Sequence, residues 1–298
     1  MAKINPLVSV IIPTFNRDLP LINTLRCILK QNYNHFEVII IDQSNKKFAE
    51  KDKYLNIIKK KIHFEYLNQP NASKARNIGL ALAKGEIILF LDDDVEFDNN
   101  LITYHVQNYV QQNIGAVAGR VVTDGQPEEI DRKNTGQLTT FGKFTDGFSS
   151  RIKQEVQTVI TCNASWKKSV LDQIGVFDEN FTGPIREDSD LSLRTIKAGF
   201  KIIFDPKAEV IHKKVDSGGF RKSEGRLEWY KGFFKSETYF FLKHYPIYLL
   251  PFILLSRWQW AVRCMLGRSI SLTTCLTPII GIKEGILAYR RYLNENWS

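Results

Sequence analysis

The chain has no Cys-x-x-Cys pair. Its four cysteines, Cys27, Cys162, Cys264 and Cys275, stand far apart. That excludes a zinc knuckle or a disulfide framework and reads as a reduced, intracellular set. Long apolar runs are missing too. The longest stretches of the C-terminal third without Asp, Glu, Lys or Arg are His244–Ser256, with 13 residues, and Ser269–Ile282, with 14. A spanning helix needs roughly 20. Arg257, Arg263 and Arg268 interrupt any longer window, and Pro246, Pro251 and Pro278 disfavour an unbroken helix. No transmembrane span is expected. The first residues, Met1-Ala2-Lys3-Ile4-Asn5, lack the apolar centre of a signal peptide, so the expected location is cytoplasmic. There is no internal repeat, no low-complexity tract and no helix-turn-helix or RNP pattern, and no nucleic-acid partner is expected.

What is present is unevenly distributed. The 298 residues carry a net charge of +9, with 43% hydrophobic and 24% charged residues, an ordinary globular composition. Residues 213–298 hold 14 Lys and Arg against 6 Asp and Glu, while the other 212 residues hold 27 against 26. The same tail contains 16 of the 35 aromatic residues and four of the five tryptophans. A near-neutral body thus precedes a basic, aromatic tail, which points to an anionic surface as partner.

Along the body, residues 7–12 are β-branched, short and stopped by Pro13, which predicts a buried strand. Residues 19–31 place Leu21, Leu25, Ile28 and Leu29 at helical spacing, and 37–41 predict a second strand ended by Asp42. Residues 72–84 predict a helix with Ala75, Ile78, Leu82 and Ala83 on one face and Gly85 at its C-cap. Residues 86–91 predict the next strand. Such alternation means right-handed βαβ units and a mostly parallel sheet, with ligands beyond the carboxyl ends of the strands. Thr14–Arg17, Asp42 and Asp92–Asp94 fall at those ends. Past residue 100 the pattern weakens. A strand is expected at 115–122, a long loop over the site at 123–157, a helix at 188–198, and two short strands at 201–204 and 208–211.

Asp92, Asp93 and Asp94 follow one another directly after the apolar run. Three like charges at a strand tip repel. A divalent cation would remove the repulsion, and hard oxygen ligands suit Mg2+ or Mn2+, which would share the site with substrate phosphates. A solvated turn with a helix-capping aspartate fits the same residues.

Taken in order, six motifs resemble the family 2 glycosyltransferases with the GT-A fold. They are Pro13-Thr14-Phe15-Asn16-Arg17, Asp42-Gln43-Ser44, Ala75-Arg76-Asn77-Ile78-Gly79, Leu91-Asp92-Asp93-Asp94, Gly175-Val176-Phe177-Asp178-Glu179 and Arg186-Glu187-Asp188-Ser189-Asp190-Leu191. The resemblance runs from about residue 6 to residue 212. It implies an α/β, Rossmann-like GT-A domain over 1–212, a mostly parallel sheet flanked by helices. Its nucleotide-binding half would span about 1–100 and its acceptor half about 101–212. Residues 213–298 would add a basic, aromatic, mostly helical region. The implied activity is inverting and hexosyltransferase-like, from a nucleoside-diphosphate sugar to a hydroxyl of a growing or lipid-linked surface glycan, with Mn2+ or Mg2+ as cofactor.

The resemblance also assigns residues. Pro13, Thr14, Asn16, Arg17, Asn71, Arg76, Asp92 and Asp93 would line the donor. Asp42 would accept from the N–H edge of the base. Arg76 would face the diphosphate, a helix-surface salt bridge being the alternative. Asp94, with Asp92, would hold the metal. His212 would join them as in some relatives, or be an ordinary core or surface histidine. Asp188 would be the general base and Glu187 would touch acceptor or sugar. Asp190 would cap the helix that follows. Trp166 would stack on a sugar or pack in the core. Two departures from the family pattern, Gln43-Ser44-Asn45 and Thr161-Cys162, would alter base recognition and the acceptor pocket.

Trp258, Trp260, Tyr245, Tyr248 and the tail arginines suit a membrane interface. This predicts peripheral attachment to the inner, anionic face of the cell membrane; packing on the catalytic domain or in a dimer is the alternative. Other readings of the chain are weaker. A sugar nucleotidyltransferase would carry a glycine-rich basic loop where Pro13–Arg17 stands. A scaffold or nucleotide-binding relative without activity would not need both Asp94 and Asp188.

Overall fold

The computed structural model describes residues 5–44, 62–182, 185–215, 226–265 and 272–297. Asn45, Arg268 and the side chains of Trp260 and Arg263 lie outside what is described.

Strand β1 (Val8–Thr14) is central to a parallel quartet in the order β3 (Ile62–Tyr66), β2 (Phe36–Asp42), β1, β4 (Ile87–Leu91). Val8, Val10, Ile11 and Ile12 are fully buried, as expected when helices cover both faces of a parallel sheet. Helix α1 (Asp18–Leu29) buries Leu21, Thr24, Leu25 and Ile28, one side of a 3.6-residue period. Helix α2 (Ala72–Leu82) starts at Asn71, whose side chain accepts from Lys74 N at 2.9 Å. At Gly79 a Cβ would lie 2.5 Å from Ile11 Cγ2, so only glycine lets this helix sit on β1. The C-cap is Ala83, in extended conformation, and not Gly85. Gly85 instead lies against β1, where a Cβ would meet Ser9 N at 2.5 Å. The register aligns Thr14, Asp42 and Tyr66 along one carboxyl edge.

Beyond β4 the sheet becomes mixed. Strand β8 (Asn163–Lys167) runs antiparallel between β4 and β6 (Ile114–Thr123). Strand β9 (Lys201–His212) joins β6 in parallel and carries the short β5 (Val95–Glu96) and β7 (Gln154–Val156) antiparallel. The expected pair of short strands is this one twelve-residue strand. A register shift from Asp205 to Glu209 opposite Gly119 and Arg120 accommodates Pro206, which has no N–H for the ladder. Helices α3 (Leu101–Gln107), α4 (Lys168–Ile174) and α5 (Glu187–Lys197) complete the body.

The tail forms α6 (Arg226–His244), α7 (Leu250–Met265) and α8 (Leu272–Trp297). Residues 236–241 of α6 are all buried, so protein surrounds this stretch of helix. Tyr239, Phe240 and Phe241 pack with Phe181 and Ile253, and Phe144 stands edge-on to Phe241. The first tail helix therefore packs on the body, the alternative that the sequence left open for this segment. Among the described residues no helix is long and apolar enough to cross a membrane.

Candidate active site

The carboxyl edge of the parallel quartet gathers residues that the resemblance places beside a donor. Thr14 Oγ1 donates to Asp93 Oδ2 at 2.6 Å. Arg17 Nη1 bridges Asp93 Oδ1 at 3.0 Å and Asp94 Oδ2 at 2.9 Å. Part of the repulsion among the three aspartates is therefore relieved inside the protein. Val95 pairs with His212, which brings His212 Nε2 to 3.0 Å from Asp94 Oδ1. That oxygen is buried and has no donor aligned on it for a hydrogen bond. Ligand atoms of Asp92, Asp94 and His212 lie within 4.8 Å of one another and could hold a metal ion. Two carboxylates and an imidazole are a hard-to-borderline donor set that suits a divalent cation. Burial, with the Asp94 charge, pushes Asp93 up to about 6 against the pull of Thr14 and Arg17. Burial also acts upward on Asp94, but His212 and Arg17 outweigh it and hold that carboxyl below its ordinary value.

Around this cluster, Asp42 is buried at the end of β2 and accepts from Ser44 N at 2.9 Å. Asn16 adopts φ 54°, and its backbone N–H donates to Ser44 Oγ at 2.8 Å. Ser44, within the departing segment Gln43-Ser44-Asn45, thus bonds the loop carrying Asn16. Pro13 is half-buried at the end of β1. Asn71, placed with the donor residues on resemblance, spends its side-chain oxygen on the α2 cap, and Gln43 Oε1 accepts from its backbone N–H at 2.7 Å.

Arg76 links this half to the next. It is buried, lies over the Phe177 ring, and pairs with Asp92 at 3.8 Å and Glu187 Oε1 at 3.3 Å. The helix-surface salt bridge is therefore not its role. Asn77, one position on, exchanges two hydrogen bonds of 2.9 Å with the backbone of Phe177 and so holds the 175–179 motif against α2.

The segment before α5 turns through Arg186 at φ 84°, the left-handed region, which sets Glu187 and Asp188 at the start of the helix. Asp188 Oδ1 accepts from Ser189 N at 2.7 Å, and Oδ2 accepts nothing from a described residue. Asp188 retains some exposed surface, yet it lies deep in the fold. That depth, followed by the Glu187 charge, pushes its carboxyl well above the ordinary range, against Arg76 and Arg186. Glu187 Oε2 is buried without a hydrogen bond.

Two sequence expectations are corrected. Trp166 is fully buried in β8, edge-on to Phe90, with Nε1 donating to Thr195 at 3.1 Å. It is core and does not face a sugar. Asp190 does not cap α5. It is fully buried and pairs with Arg194 at 2.9 Å, Lys243 at 2.8 Å and His244 at 2.7 Å. Cys162, in the second departing segment, is buried, and its thiol is pushed up by burial and then by Asp92, Asp94 and Asp188. Its side chain is enclosed within reach of the charges of these carboxylates.

The residues missed from sequence are the supports. Glu237 of α6 is fully buried; its Oε1 takes Arg186 Nε and its Oε2 takes Arg257 Nε at 2.8 Å. Arg186 also stacks 3.5 Å above Phe144, in the 123–157 loop. Lys243 bonds Asp178 Oδ2 at 2.6 Å. No local spacing could reveal these pairs, because their partners stand 20 to 65 residues apart in the chain.

Comparison with known proteins gives one consistent answer. The family model described as Glycosyl transferase family 2 matches residues 9–175. The O-antigen chain rhamnosyltransferase WbaN of Salmonella anatum is 27% identical over 309 residues, spanning 91% of this chain and 93% of that protein. The amylovoran biosynthesis glycosyltransferase AmsB of Erwinia amylovora is 27% identical, spanning 65% of each. Among solved structures, S. aureus TarS 1–349 in complex with UDP-GlcNAc aligns with a TM-score of 0.64 at 16% identity, covering 97% of this chain and 83% of that one. A mannosyltransferase from Pyrobaculum calidifontis with GDP-Man and Mn2+ aligns with 0.59 at 15% identity, covering 98% and 88%. At these identities the structural likeness establishes the GT-A fold.

Proposed function

The chain belongs to glycosyl transferase family 2, and from that premise we propose that it is an inverting transferase. It moves a sugar from a nucleoside-diphosphate donor to a hydroxyl of a growing or lipid-linked surface glycan. The observation that carries this reading is Arg76, a buried cation that touches both Asp92 and Glu187. It joins a metal-capable cluster to the carboxylate that immediately precedes Asp188.

In this reading Asp42 accepts from the base, and Thr14 and Asp93 form the wall beside the ribose. Arg76 gives its planar fork to the diphosphate. A divalent Mn2+ or Mg2+ held by Asp92, Asp94 and His212 would neutralise charge on the departing diphosphate. Asp188 Oδ2 accepts the proton of the acceptor hydroxyl as it attacks the face opposite the leaving group. A carboxylate whose proton affinity is raised toward neutrality is a stronger base for that task than an ordinary one. Glu187 stays beside it, held by Arg76, toward acceptor or sugar.

Rhamnose is the first donor sugar to test, because the relative that spans nearly the whole chain is an O-antigen chain rhamnosyltransferase. The place of work is the cytoplasmic side, at the inner face of the membrane that presents a lipid-linked acceptor. Thermal shifts with UDP, GDP, dTDP, CMP and their sugar conjugates, with and without Mn2+, test the donor site, since a ligand that binds only the folded state raises Tm. A metal-dependent shift with one diphosphate family is expected; none with any would overturn the reading.

A further inference from the structure

Helix α8 is apolar on two faces. Its inner face is spent on α6: a Cβ at Gly281 would lie 2.5 Å from the Lys231 carbonyl oxygen, and one at Gly285 2.7 Å from that of Lys235. Its outer face carries Leu276, Ile279, Ile280, Ile286 and Leu287, all exposed, at helical spacing. Lys283, Arg290 and Arg291 are exposed along the same face. Helix α7 repeats the arrangement with exposed Phe252, Leu255 and Trp258, after Ile247 and Tyr248 in the turn before it. Of the 18 large hydrophobic side chains exposed among the described residues, 10 fall between Ile247 and Leu287. Single exposed apolar residues are normal, but their concentration on two helices marks an interaction surface.

Charge selects the occupant. A second copy docked face to face would set Lys283, Arg290 and Arg291 against their own equivalents. The acids of α8 do little to offset them, since Glu284 is already paired with Lys231 at 3.0 Å. An anionic bilayer supplies both missing parts: apolar depth for Phe252, Leu255 and Ile279, and phosphates for the cations. Trp258 and Tyr248 suit the headgroup level.

We propose that the outer faces of α7 and α8 dock this protein, without spanning, in the headgroup layer of an anionic phospholipid bilayer. The surface is tied to the chemistry. Arg257 of α7 shares Glu237 with Arg186, which immediately precedes Glu187 and Asp188. Docking would therefore fix how the cleft faces the lipid. This consequence rests on the proposed transferase function; the docking itself does not.

The test is flotation of the full chain with vesicles of phosphatidylglycerol and phosphatidylcholine, against phosphatidylcholine alone, at low and high salt. Three cations at the surface give roughly hundredfold stronger partitioning into anionic vesicles at low salt, largely lost at 1 M NaCl. The triple variant Lys283→Glu, Arg290→Glu, Arg291→Glu loses the preference, and Ile279→Ser with Phe252→Ser lowers binding to both vesicles, each with Tm unchanged. Equal flotation of the charge variant and the parent would overturn the proposal. So would no flotation at all, or a dimer in light scattering that Ile279→Ser dissociates. Donor thermal shifts on the same preparations separate the failures. Lost flotation with intact donor binding overturns docking alone, and flotation without donor binding overturns the transferase reading alone.

Discussion

His244 Nε2 lies 2.7 Å from Asp190 Oδ1, joining the last residue of α6 to the first turn of α5. The other ring nitrogen, Nδ1, lies 3.0 Å from Lys197 Nζ. An ammonium can only donate, so Nδ1 accepts and Nε2 carries the hydrogen. The ring is neutral. Burial holds its pKa below the ordinary value, helped by the Lys197 and Lys243 charges and opposed by Asp190. Asp190 itself is held far down, because His244, Arg194 and Lys243 outweigh its burial. The two shifts agree once the ring is neutral, since an N–H donor suffices for the carboxylate.

Stability should therefore fall on mild acidification. The folded pKa of His244 is depressed, so the unfolded chain takes the proton first. The contribution is present above the unfolded value of 6.5 and is lost as pH falls below it. His105, buried and pushed down to about 4, acts in the same direction. Asp190 adds no slope in this window, because its contribution is complete above the ordinary carboxylate value and is lost only as pH falls below it. Tm at pH 5.5 should lie below Tm at pH 7.5. His244→Gln, which can donate to Asp190 and accept from Lys197, should flatten that slope and leave the His105 part. An unchanged slope in the variant would refute the assignment.

Asp188→Asn should leave donor binding intact and cut transfer by roughly 10²- to 10⁴-fold. The parent's kcat/KM should fall with acid along a limb above the ordinary carboxylate range, because a base must be unprotonated and this one is raised by burial and by Glu187. Turnover near that of the parent in the variant would remove Asp188 from the role.

Asp94→Asn should abolish the Mn2+-dependent part of the donor thermal shift while the folded protein persists. The substitution deletes the charge that faces His212 and Arg17, so a small loss of Tm without ligand is expected, under about 2 kcal/mol in stability terms. A metal-dependent shift equal to the parent's would place the cation elsewhere.

Much of this site was readable because its residues follow strands whose apolar runs announce themselves. Thr14, Asp42 and Asp92–Asp94 each close a buried run, and parallel pairing then sets them side by side. The antiparallel half was less readable. Strand β8 reads Asn163-Ala164-Ser165-Trp166-Lys167, and its buried Asn163 and Ser165 look like loop residues until His105 is seen bonding both at 2.9 Å. The same hidden position makes Trp166 a core residue. Strand β3 is five residues at the sheet edge, four half-buried and His63 exposed, too short to stand out. The tail hides its contacts in another way: Glu237, Lys243 and His244 find their partners Arg186, Asp178 and Asp190 in the body, which no spacing within the tail announces. Periodicity reports which way a face points only when its partner is solvent or core, not when it is a buried ion pair.

Glu237 gives the sharpest test of that buried network. Its side chain has no exposed surface, and it holds two guanidinium groups, Arg186 before α5 and Arg257 on α7. Removing one partner of a buried pair leaves an uncompensated charge and typically costs about 3–5 kcal/mol. Here Glu237→Ala strands two cations at once, and Arg186 must also keep a left-handed backbone at φ 84°. Glu237→Gln retains the volume and an acceptor oxygen, so its loss should be smaller but still large. Denaturant midpoints for the two variants, set beside Arg257→Ala, check this ordering: Glu237→Ala lowest, then Glu237→Gln. Arg257→Ala should come closest to the parent, because Arg186 still satisfies the carboxylate. If Glu237→Ala matched the parent, the two arginines would be solvated in solution and α6 would not brace the entry to α5.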